Sequence, residues 1–151
     1  MVGRTPANAD PAEHGRGRLR PRRLLGALAV WLAMVLVAIL NATIRELFIT
    51  PNAGDYLAHV ASTITLVVAL AVVIVLYLRR VPDHASIELA AIGVLWAGLT
   101  VAFELLFGHY VAGESWAALL ALYDVTAGYV WAFVPLFLLL APLLLGRRLQ
   151  D

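Results

Sequence analysis

Residues 55–80 read DYLAHVASTITLVVALAVVIVLYLRR, and this stretch decides the fold class. Between Asp55 and the Arg79–Arg80 pair, His59 is the only side chain that can carry a charge near neutral pH. A helix crosses the ~30 Å hydrocarbon core of a bilayer with about 20 apolar residues, at roughly 1.5 Å per residue. Water is absent there, so the backbone must satisfy its own polar groups, and the helix does this within one segment. The stretch therefore predicts a membrane-spanning helix.

Three further apolar runs extend the reading: 24–40, 87–107 and 116–146. The chain is 62% hydrophobic and 14% charged over 151 residues. A soluble domain averages about 45–50% and 25%, so the excess belongs in lipid. The expected fold is all-α, a four-helix transmembrane bundle of antiparallel neighbours. Its spans are expected at about 24–44, 56–78, 87–107 and 117–145, within a bundle covering 24–148. Residues 1–23, rich in Arg, Pro, Gly and Ala without apolar periodicity, are expected to form a flexible basic arm. The fourth run is longer than a straight crossing requires. Pro135, which cannot donate to the Trp131 carbonyl, predicts a kink there.

Charge placement predicts orientation. All eleven basic residues other than histidine are arginines. Ten fall in the arm, at Arg79–Arg80 and at Arg147–Arg148, which four alternating spans bring to one side. Only Arg45 falls on the other. The positive-inside rule then puts both termini in the cytoplasm, in the inner (plasma) membrane. The start reads as a retained signal-anchor rather than a cleaved signal, because its apolar run is long and lacks a clear small-residue cleavage site.

Turn signals mark the connections. The stretch 50–55 (TPNAGD) predicts an outer loop with Asp55 as the N-cap of span two, and Asp83 or Ser86 is placed to cap span three. Tyr110 and Trp116 suit the headgroup belt. The chain has no cysteine, which excludes disulfides and thiolate chemistry.

Polar residues inside the runs are the only hint of chemistry. Asn41 and Arg45 share a face of span one, His59 lies with Ser62 and Thr63 on span two, Glu104 follows Thr100 on span three, and Asp124 begins a face with Gly128 and Trp131. All sit toward the outer ends of their spans. Gly93 and Ala97 put a small-residue pair on the Glu104 face, which lets another helix approach closely. Asn41, Arg45, His59, Glu104 and Asp124 are thus expected to form one polar cluster at the outer rim, with Arg45 paired to Glu104 or Asp124. Glu46 lies about 100° further round and faces the headgroups. Neither a metal nor an organic cofactor is implied. A His59–Ser62–Asp124 triad lacks a nucleophile-elbow glycine pattern and an oxyanion hole. His84 and Glu88 read as an exposed interfacial pair, and His14 and His109 as solvated. Trp31, Trp96 and Trp131 read as packing or lipid-facing residues.

The segments 40–46 (LNATIRE), 103–108 (FELLFG) through Ser115-Trp116, and Tyr123-Asp124 with Gly128 and Trp131 resemble a group of small four-span bacterial inner-membrane proteins of uncharacterised activity. The resemblance implies the fold and the location, and that these three elements belong together. A basic residue often follows the matching glycine in that group, where this chain has Tyr129.

The function expected from these features is a non-enzymatic accessory or interaction module whose polar cluster is structural. The bilayer is its first partner, a second copy or another membrane protein the next, and no nucleic-acid partner is implied. The alternative is a proton- or cation-coupled small transporter or channel component. A third reading is an intramembrane metal-dependent hydrolase, with His59 and the carboxylates as ligands.

Overall fold

The computed structural model describes residues 21–81 and 85–150, and all regular structure among them is helical. Most of the basic arm, His14, His84 and the Asp83 cap lie outside the described residues. Helix α1 spans Pro21–Ile44 and continues through a π-turn at Arg45–Ile49 into the short α2, Thr50–Ala53. Helix α3 covers Asp55–Arg80 and α4 covers Ser86–Tyr110. The short α5 (Trp116–Ala121), a 3₁₀ turn (Val125–Ala127) and α6 (Phe133–Gln150) complete the chain.

Three helical segments are long and apolar enough to cross a membrane: Pro21–Ala53, Asp55–Arg80 and Ser86–Tyr110. Only 11% of the apolar window of the first is buried in the protein. Its outward leucines, Leu32, Leu36 and Leu40, are more than half exposed. Such a surface is what lipid, and not water, solvates.

The segment expected to form an outer loop at residues 50–55 differs from expectation. Residues 50–53 are helical, and Gly54 alone separates α2 from α3. The π-turn explains how the helix runs into Pro51. A proline inside an α-helix clashes with the carbonyl four residues back, and a π-turn supplies the extra residue that eases it. Here the Thr50 N–H bonds the Arg45 carbonyl, five residues back. Gly54 turns the chain at φ 77°, the left-handed region glycine tolerates. Asp55 is the first residue of α3 and not its cap. Likewise, α4 is capped at Ala85 and not at Ser86, and the Glu88 carboxylate accepts the Ala85 N–H at 3.4 Å.

The fourth run is interrupted, not merely kinked. Asp124 Oδ1 accepts the backbone N–H of Thr126 and Ala127 and the Thr126 hydroxyl at 2.9, 3.3 and 2.5 Å. These bonds hold the 3₁₀ turn, and Gly128 closes it at φ 88°. Short side-chain–backbone bonds of this kind compete with helix continuation. Pro135 therefore stands in the first turn of α6, where its missing N–H costs little, and does not kink a longer helix. The interior proline is Pro142, fully buried. Eighteen residues make α6 about 27 Å long.

The core is built around Trp96, Leu89 and Ile92 on α4, Ile74 on α3 and Leu138 on α6, all 2% exposed or less. Helix α4 packs tightly on α6: a Cβ on Gly93 would lie 2.2 Å from the Leu139 carbonyl oxygen, and one on Gly146 would press on Leu89. Polar ties bind α1 to its neighbours. Trp31 Nε1 donates to Thr100 Oγ1 at 3.1 Å, and Trp96 Nε1 to the Ala27 carbonyl at 2.8 Å. Tyr77 OH donates to the Arg23 carbonyl, and Asn41 Nδ2 to that of Ser62. Trp31 and Trp96 are thus interior packing residues. Trp96→Phe should lower stability by about 1–2 kcal/mol in a detergent melt, because it removes a buried donor and leaves the Ala27 carbonyl short of a partner. An unchanged melt would show that bond to be dispensable.

One feature of the core runs against expectation. Glu88, read as half of an exposed pair, is 3% exposed and accepts from Arg23 Nη1 at 2.7 Å.

Candidate functional site

The π-turn and the α2 extension overhang the start of α3 and form one wall of a cavity of about 640 Å³. Asn41 and Arg45 line it from α1 and the π-turn, His59, Ser62 and Thr63 from α3, and Glu104 from α4. Leu122, Gly128, Tyr129 and Trp131 close it from the interrupted segment. Four of the five anticipated residues therefore share this space. The fifth, Asp124, does not line it. Its carboxylate is exposed and holds the 3₁₀ turn, with the Thr126 hydroxyl and N–H lowering its pKa below the usual carboxylate range.

The pairing inside the cluster also differs from expectation. Arg45 Nε and Nη2 both donate to Glu46 Oε1, at 3.0 and 2.8 Å. The wider π-turn and the long side chains let adjacent residues meet here. Glu46 accordingly borders the cavity while 60% exposed, and does not simply face outward. Glu104 is held instead by two neutral donors. Tyr123 OH donates to Oε2 at 2.5 Å, and Trp131 Nε1 donates to the same oxygen. Both donors come from the interrupted segment, so the break in the fourth run is what brings them to α4. Trp131 is thus a wall of the cavity as well as a packing residue.

The α3 hydroxyls look inward along their own helix. Thr63 Oγ1 and Ser62 Oγ donate to the His59 carbonyl at 2.8 and 3.1 Å. No bond joins Ser62 to the imidazole, as the triad would need. The ring itself is left open: His59 Nε2 is buried and has no hydrogen-bond partner among the described residues. A buried polar atom without a partner costs about 1–3 kcal/mol, so it marks a place where something polar belongs. No group of three or more His, Asp or Glu poised to hold a metal occurs among the described residues.

A second cavity of about 390 Å³ is mostly apolar. Trp31, Met34, Leu70, Phe103, Val134 and Leu138 line it. It shares Ala38, Ala42, Arg45, Leu66, Glu104 and Trp131 with the polar cavity, so the two adjoin. Sequence periodicity pointed to the polar residues but not to this chamber, because Phe and Leu on an inward face look the same whether packed or lining a void.

At the rim, His109 lies in the last turn of α4 and not in a loop. It stacks on Trp116 at 4.2 Å between ring centroids, and its Nδ1 contacts the Glu114 carbonyl at 2.8 Å. Tyr110, 73% exposed, completes an aromatic cluster suited to a headgroup layer. Comparison of the chain with protein-family models, curated proteins and solved structures returned no match.

Proposed function

We propose that the chain is a four-span integral membrane protein of the bacterial inner membrane, with both termini cytoplasmic, that acts as a non-enzymatic binding module through its outward cavity. The fourth crossing is α6, helped by the α5 segment folding in from the outer surface. Contacts between helices support alternating directions. Along α1, Arg23 meets Tyr77 and Asn41 meets Ser62, so α1 and α3 run oppositely. Arg23 meets Glu88, Ala27 meets Trp96 and Trp31 meets Thr100, so α1 and α4 run together. Gly93 faces Leu139 and Gly146 faces Leu89, so α4 and α6 run oppositely. Arg23, Arg79–Arg80 and Arg147–Arg148 then share one end, the cytoplasmic one by the positive-inside rule. The cavity lies at the other.

One observation carries the binding reading. In the cavity, His59 Nε2 has no hydrogen-bond partner among the described residues, and both donors to Glu104 fall on Oε2. A closed structural network would have paired them. A cavity of about 640 Å³ falls within the roughly 300–1,000 Å³ of small-molecule sites. The cation-coupled transporter remains the second reading, favoured by the carboxylate of Glu104 at the same wall.

The chain has no cysteine, so single cysteines report without background. On intact cells, a membrane-impermeant maleimide should label Ala53→Cys and, in the cavity, Ala42→Cys. It should spare Leu149→Cys until the membrane is opened. Labelling of Leu149→Cys alone would invert the orientation. Protection of Ala42→Cys alongside labelled Ala53→Cys would show the cavity closed and overturn the binding reading.

A further inference from the structure

The polar vestibule adjoins the apolar chamber, and six residues line both, the two-part polarity an amphiphile needs. We infer that the two cavities together bind a single-chain amphiphile with an ammonium headgroup, taken from the bilayer; this rests on the cavity being open, as proposed above. Charge decides the headgroup. Arg45 and Glu46 cancel in charge, since Nε and Nη2 of the one both donate to Oε1 of the other. The charges remaining around the vestibule are the carboxylates of Asp55 and Glu104. Tyr56, Tyr129 and Trp131 stand among them, and aromatic faces attract cations. His59 Nε2, buried and without a partner among the described residues, adds a further polar atom that accepts an N–H when the imidazole is in the matching tautomer.

The tail follows from the chamber. Its lining from Trp31 and Met34 to Leu70 and Leu138 offers no charge beyond Arg45 and Glu104, which stand where it meets the vestibule. Ile39 and Phe107 line it and are 50% and 46% exposed, so the chamber communicates with the surface that lipid covers. A ligand enters sideways from the bilayer, and its hydrocarbon replaces contacts that a void would forfeit. Chain burial adds little over the bilayer itself, since lipid tails are as apolar as the chamber. Selectivity therefore lies with the headgroup, while the chain selects ligands already in the membrane.

The test uses 12-bromododecyltrimethylammonium, whose bromine quenches indole fluorescence, titrated into the full chain in nanodiscs. Trp31 and Trp131 line the chamber and report its arrival. Quenching should saturate. Glu104→Gln should raise the half-saturating concentration about tenfold, equivalent to about 1.4 kcal/mol. Ala38→Phe, or Ala42→Phe should the first fail to fold, should plug the junction and abolish the saturable component. Tetramethylammonium should fail to compete at a hundredfold excess. Quenching that rises without saturation, or that both plugged variants retain, overturns the inference. So does equal binding of 12-bromododecyl sulfate, or no effect of Glu104→Gln. Effective competition by tetramethylammonium would reduce the site to a soluble-cation pocket and likewise overturn it. If Ala42→Cys is labelled from outside while these fail, the open cavity stands and only its amphiphile is wrong.

Discussion

Gly93→Ala is expected to destabilise the protein by roughly 2–3 kcal/mol, at the upper end for overpacking by one methyl. The sign is not obvious in advance, because alanine in a helix is intrinsically better than glycine by about 1 kcal/mol. The distance decides it: the added Cβ would lie 2.2 Å from the Leu139 oxygen and 3.0 Å from its carbonyl carbon. These are backbone atoms of α6, and no side-chain rotation can clear them. The two helices must separate along their whole contact, which weakens the core around Leu89, Ile92 and Leu138. Gly98 supplies the control on the same helix, since nothing lies within 4 Å of its added Cβ. Gly98→Ala should be neutral or stabilising by up to about 1 kcal/mol. Thermal or denaturant unfolding in detergent checks both. Equal effects at the two positions would show that the α4–α6 approach is not as close as described.

Glu88→Gln should be the most damaging change at the basic end, costing about 3–5 kcal/mol as for other buried pairs broken on one side. Glu88 is 3% exposed, and the Arg23 side chain 15%. Removing the carboxylate charge leaves the guanidinium in a place that water reaches poorly. The partial exposure of the Arg23 side chain puts the expected loss at the lower end of that range. Replacing both partners by methionine should recover most of it, because a well-packed apolar pair needs no desolvation of charge. A single variant that melts like the unchanged protein would mean that the other interactions of Arg23 hold it as well as Glu88 does. The bridge also ties the start of α1 to the start of α4, so its loss should loosen the end where the arginines gather.

The membrane character was legible because lipid imposes so few solutions. Residues 55–80 permit a helix and little else, and the boundaries at Asp55 and Arg80 fall where the charges stand. The Gly93 approach was legible for a related reason: a small residue on a polar-marked face reads as a packing face. The half of the molecule away from the arginine pairs was harder. Apolar content did not reveal that 116–146 is broken, because the break is made by one carboxylate bonding three donors and by a glycine at positive φ. Asp124 was placed in the cluster by helical spacing, and spacing means nothing once the helix stops. The π-turn was equally hidden. Pro51 hinted at a loop, whereas the extra residue at Arg45–Ile49 let the helix run on and turned Arg45 toward Glu46. Glu88 was judged by its partner His84 in sequence, when its partner in space lies 65 residues away.

The cavity differs from a structural ionic network in one measurable respect, the energy shared between Arg45 and Glu104. A double-mutant cycle on stability in detergent isolates that energy for Arg45→Ala with Glu104→Gln, and a second cycle does so for Glu104→Gln with Trp131→Phe. The described arrangement, in which Arg45 and Glu104 share a cavity but Arg45 pairs with Glu46, predicts a coupling for the first well below that for the second. For the second it predicts a coupling of about 1.5–3 kcal/mol, as for a hydrogen bond to a charged group. A coupling between Arg45 and Glu104 that equals or exceeds the Glu104–Trp131 coupling would contradict the account, because the two charges would then be each other's partners and no open site would remain between them.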